Sequence, residues 1–142
     1  MKISLILTLI FFALTFSTCG KLSENSTPTA TFKAYIEAAN KNDTAALKQY
    51  FSQGTLKMLD EAAKAQNTTL DEVIKNQVNL SGEKKMPETR NETVEGANAT
   101  LEIKNNITGT WDKVYFKQED GSWKIALDKF MEEMMKEATQ TK

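Results

Sequence analysis

Any acid–base chemistry in this chain must come from carboxylates and phenols, because the sequence contains no histidine. With one cysteine as well, the familiar zinc ligand sets and the Ser/His and Cys/His nucleophile pairs are excluded. The residues left are Tyr50, Asp60, Asp112 and Tyr115, with Trp111 as an aromatic neighbour. A carboxyl in an apolar pocket has its pKa raised and can then act as an acid or base near neutral pH. Strand alternation puts Asp112 on the face of Val114 and Phe116. It also sits at the start of that strand, where a solvated rim position is at least as natural. Asp60 shares a helical stretch with Leu56 and Ala63, where exposure explains it as well. Neither fits a catalytic motif, so no catalytic, cofactor-binding or metal-binding residue is expected. The acidic neighbours Asp60-Glu61, Asp71-Glu72 and Glu132-Glu133 point about 100° apart on a helix and read as solvated faces. Gly82, Gly96, Gly109 and Gly121 are isolated turn glycines and make no phosphate-cradling loop.

The elements that must position these residues fit one domain: 142 residues, 40% hydrophobic and 26% charged. Eighteen basic against nineteen acidic side chains leave a net charge of −1, which argues against an electrostatic nucleic-acid binder. Thr27-Pro28 can open a helix as N-cap and N1. Phe32, Tyr35, Ile36 and Ala39 then follow at helical spacing. Asp43 can cap a second helix with Leu47, Tyr50 and Phe51 inward. Gly54 reads as a break, after which Leu56, Leu59 and Ala63 suggest a third. Thr69 and Glu72 form a capping box for a fourth, carrying Leu70, Val73, Ile74 and Val78. After Pro87 the period becomes two. Glu88 to Thr93 is at most an edge strand, Ala97 to Ile103 a half-buried one, and Val114 and Phe116 lie in the next. Glu119-Asp120-Gly121 is a hairpin turn leading to Trp123, Ile125 and Leu127. From Asp128 a final helix bears Phe130, Met131, Met134 and Met135 on one side. That stripe is expected to pack on the sheet, with dimerisation or partner capture as the alternative. Helices first and an antiparallel meander second is an α+β order.

The N-terminus carries an address. Lys2 precedes the apolar run Ile3–Phe16, which is too short for a spanning helix of about 20 residues but suits a secretory leader. Phe16-Ser17-Thr18-Cys19 resembles the lipobox of bacterial lipoproteins. That resemblance implies a signal peptide over 1–18, cleavage before Cys19 and acylation of its thiol. Residues 19–29 then form the lipidated cysteine and a flexible, Ser/Thr-rich tether. At about 0.8 kcal/mol per buried methylene, two or three acyl chains hold a domain stably at a bilayer. Gly20, in place of an aspartate after the cysteine, points toward the outer membrane. Plain secretion, with Cys19 an incidental leader residue, is the alternative.

The segments PTATFKAYIEAANKNDTAALKQYFS and VYFKQEDGSWKI resemble the opening helices and closing hairpin of nuclear-transport-factor-2-like domains. Within that group they are similar to small bacterial lipoproteins sometimes labelled lumazine-binding-like. The resemblance implies a domain over 30–138: N-terminal helices packed in a curved antiparallel sheet, a cone with a cavity, and a short C-terminal helix. The expected function is a lipid-anchored cell-envelope protein, without catalysis or cofactor, binding a small molecule or a protein. Its partners would be the membrane through the anchor, that ligand and a second copy, with no nucleic acid. A small cavity isomerase or hydrolase using Asp60 or Asp112, or an assembly lipoprotein, are the alternatives.

Overall fold

The computed structural model describes residues 27–81 and 85–140. The expectations placed on the leader, Cys19 and the tether up to residue 26 lie outside the described residues. Thr27 is the N-cap of α1 (Pro28–Asn40), accepting from the Ala30 amide at 3.0 Å, and Pro28 is buried at its first position. The last three residues counted above with the tether therefore belong to a cap and first turn. Asp43 caps α2 (Thr44–Tyr50) through the Ala46 amide at 2.9 Å. Ser52 caps α3 (Gln53–Ala65) through the Thr55 amide at 3.0 Å. The capping box of α4 (Leu70–Ser81) closes in both directions: Glu72 N–H donates to Thr69 Oγ1, and Thr69 N–H donates to the Glu72 carboxylate, each at 3.3 Å. Polar side chains within reach of the first turn thus satisfy amides that a helix start leaves free.

Gly54, read above as a break, lies inside α3. The chain is broken two residues earlier. Phe51 is extended there and bridges to Ile125, and the Ser52 amide donates to the Ile125 carbonyl at 2.9 Å. Gly54 is needed for space. A Cβ on it would stand 2.3 Å from a carboxylate oxygen of Asp128.

Four strands, β1 (Thr89–Glu95), β2 (Asn98–Lys104), β3 (Trp111–Glu119) and β4 (Ser122–Ile125), pair antiparallel in that order. The sheet is not strongly curled. The register sets Ala99 against Phe116 and Leu101 against Val114, so the apolar residues of the two central strands share one face. β1 is exposed along nearly its whole length and carries Arg90, Glu92 and Glu95, the charged edge that discourages further strand pairing. The other edge, β4, is covered by the bridge from Phe51. Asp120 and Gly121 both take positive φ, as a two-residue hairpin turn requires. Ala97, expected in β2, falls in the turn before it, and Leu127, expected in the last strand, starts α5 (Leu127–Gln140).

The core lies between the helices and the inward face of the sheet. Ile36, Leu47, Phe51, Leu59 and Ile74 from the helical half meet Leu101, Phe116, Trp123 and Ile125 from the sheet. Each such side chain, fully buried, contributes about 1.5–3 kcal/mol. α1 is fastened across the sheet by two polar contacts. Thr31 donates to the Trp123 carbonyl at 3.3 Å, and the Thr29 amide and hydroxyl donate to Glu92 at 2.8 and 2.6 Å.

A candidate ligand cleft between the first helix and the sheet

The inward face of α1 presents Phe32, Tyr35 and Ile36 at spacings of three and one, a stripe set by the helical repeat. Opposite it stand Ile103 of β2, Val114 of β3 and Ile125 of β4. Between them is a cleft of about 150 Å³, with Phe51, Gln77 and Leu127 at its margins. The cleft opens to solvent on one side, and its volume is that of a benzene-sized guest. The aromatic lining is ordered: the Phe32 and Tyr35 rings stack at 6.1 Å, and Tyr35 meets Phe51 edge-on at 5.6 Å.

Tyr35 is the polar exception. Burial pushes its phenol pKa above the ordinary tyrosine value, so the hydroxyl keeps its proton at neutral pH. No side chain or carbonyl among the described residues hydrogen-bonds to it. Gln77 contributes an exposed amide from α4, and none of the described residues lining the cleft is charged.

The structure does not bring together the residues that sequence reasoning singled out, and none of them lines this cleft. Asp60 is on the surface of α3, paired with Lys64 at 2.6 Å. Asp112 does share the inward face, opposite Ile103, but it is exposed. It accepts from the Asn105 side chain at 2.9 Å and from the Thr110 hydroxyl at 3.3 Å, and so organises the β2–β3 turn. Trp111 lies on the opposite face under the Arg90 guanidinium, 3.9 Å from its ring centroid. Arg90 in turn donates to Glu102 at 2.7 Å and holds that carboxyl below its usual range. Tyr50 borders a polar groove between α1 and α2. Tyr115 borders another, of about 420 Å³, between the outward face of the sheet and α5. Sequence reasoning placed Tyr35 only in a core stripe. Its signal was a phenol at an inward position among Phe, Ile and Ala.

The methionine stripe corrects an expectation. Phe130 touches Tyr115 at 6.3 Å, yet Phe130, Met131, Met134 and Met135 stay 40, 47, 52 and 62% exposed. The reason is how α5 starts. Asp128 accepts from the Ser52 and Thr55 hydroxyls at 2.9 Å each, and the Leu127 amide donates to Thr55 Oγ1 at 2.9 Å. This clamp fixes the first turn of α5 on α3. No residue of α5 is buried, and the stripe is covered only in part, where Phe130 meets Tyr115 on the outward face of the sheet.

Among the described residues no three His, Cys, Asp or Glu side chains converge as a metal site, and no helix is long and apolar enough to cross a membrane. Comparison with protein-family models, curated proteins and solved structures gives no match, so the reading of the cleft rests on this chain's own residues.

Proposed function

We propose that this chain is a lipid-anchored cell-envelope protein whose domain holds a small lipophilic molecule, without transforming it, in the cleft between α1 and the sheet. The observation that carries the reading is the described lining of that cleft: aromatic and branched aliphatic side chains, one phenol and one amide, with no carboxylate among the described residues. A general acid or base of the kind Asp60 or Asp112 could supply would have to stand there, and both are held elsewhere. Helices laid over one face of an antiparallel meander, with an apolar cleft between, support placing the domain with the nuclear-transport-factor-2-like cones. The leader and Cys19 support the anchor and the envelope location, with the outer membrane as its site. Titration with phenylacetylene, followed by NMR, tests the reading. Saturable shifts at Phe32, Val114 and Ile125 are expected, and Val114→Trp, which fills the cleft, should abolish them. Shifts that never saturate, or that survive Val114→Trp, would contradict it.

The exposed stripe of α5 favours a second reading, an assembly lipoprotein that pairs with a second copy through Phe130, Met131, Met134 and Met135. Unbranched thioether side chains adapt to a facing surface. Sedimentation velocity should then show concentration-dependent association that Met134→Glu removes. A monomer at every concentration would end this reading.

A further inference from the structure

We propose that Met131, Met134 and Met135 of α5 bind one soft monovalent cation, Cu(I), through their three thioether sulfurs. The inference is independent of the cleft. Six methionines occur in the chain, and half of them stand within one five-residue stretch of α5. At about 100° and 1.5 Å per residue, Met134 and Met135 flank the line of Met131 one turn further along. Side chains three and four apart on a helix have Cβ atoms about 5–6 Å apart, and each methionine adds three rotatable bonds. The three sulfurs can therefore close on a single ion from one face. All three side chains are exposed, so an ion reaches them without the fold opening. Thioether sulfur is a soft donor that selects Cu(I) over hard cations. The carboxylates between the methionines, Glu132 and Glu133, leave the helix at about 100° and 200° from Met131. Both are engaged, Glu132 by Lys129 at 2.6 Å and Glu133 by Lys136 at 2.8 Å. Among the described residues no three His, Cys, Asp or Glu side chains converge, so a harder divalent ion finds no comparable set there. Beyond Cys19 the sequence has neither thiol nor histidine, which leaves thioether as its soft ligand.

Every residue of the described core lies between 28 and 127, so the chain from Lys21 onward carries the whole of it. That chain also lacks Cys19, the one thiol. Titrated without oxygen with Cu(I) against a bathocuproine competitor, and with Ag(I) as an air-stable soft ion, it should bind one equivalent. The methyl NMR signals of Met131, Met134 and Met135 should shift together, while those of Met58 and Met86 stay in place. Leucine in place of methionine keeps volume and apolarity and removes the sulfur. Met134→Leu alone should weaken binding at least about 10-fold, as losing even an outer partner of a metal ligand does. Met131→Leu, Met134→Leu and Met135→Leu together should abolish it, and Met58→Leu with Met86→Leu should leave it unchanged. Self-association through the stripe depends on apolar surface rather than sulfur, so the triple leucine variant should retain it. The metal proposal and the assembly reading thus fail separately. No saturable binding, shifts at Met58 or Met86 instead, equal affinity for Zn(II), or binding that survives the three leucines overturns the inference.

Discussion

Gly54 occupies the second position of α3 because the Asp128 carboxylate fills the space a methyl group would need. Two opposing effects meet in Gly54→Ala. Helix propensity favours alanine by about 1 kcal/mol. Displacing Asp128 sacrifices its hydrogen bonds to Ser52 and Thr55, each worth about 1.5–3 kcal/mol because the acceptor is charged. The second effect is larger, so Gly54→Ala should destabilise the domain by about 2–5 kcal/mol in urea unfolding if both bonds are lost. In an Asp128→Ala background the obstacle is gone, and the same substitution should become neutral or stabilising. Additive effects across that double-mutant cycle would refute the account. Residue-scale features were legible where they are local. Thr27, Asp43 and the Thr69/Glu72 box announce themselves because a cap and its amide lie three residues apart. Asn42 and Asn67, at positive φ just past α1 and α3, follow the same local logic. The Gly54–Asp128 contact and the place of Tyr35 in the cleft were not legible, since each depends on segments brought together only by the fold.

At the scale of elements, order and type followed from hydrophobic period. Period 3.6 marks five helices, period two marks the meander, and the boundaries shift by a residue or two at Ala97 and Leu127. The face of α5 was misread for a physical reason. An apolar stripe shows that a helix has one preferred side, but the direction of that side is set by how its first turn is pinned. α5 also makes a pH-dependent contribution that can be read with its sign. Lys129 first, and then Lys136, hydrogen-bond to Glu132 and lower its carboxyl pKa from 4.5 to about 2. A depressed carboxyl stabilises the fold fully above its unfolded pKa and loses that contribution as pH falls through the folded value. Amide exchange within α5 should therefore accelerate as pH drops from about 4.5 toward 2, after correction for intrinsic rates, with sheet amides little affected. Glu132→Gln should flatten most of that dependence. Because the pair is exposed, added salt should weaken it too. The central strands behave differently: Leu101→Ala, at a fully buried site facing Val114, should cost about 2–5 kcal/mol at any of these pH values.

For the whole molecule, the reading joins a tethered end to a cleft-bearing body. The anchor is argued from sequence. If Cys19 is acylated, palmitate should label the protein in cells, and Cys19→Ala should move it from the membrane to the aqueous fraction. An unchanged partition would remove the anchor from the account. The body's claim concerns the space beneath α1, and fold order alone did not reveal it, because the cleft is a property of how three side chains of a helix stand off three strands. Its most direct test is a crystal structure of the chain from Lys21 onward under xenon pressure. A xenon atom among Phe32, Phe51 and Ile125 is the expected result, because the described lining there is apolar. Ordered water filling that space, or collapsed side chains with no room for the gas, would contradict it.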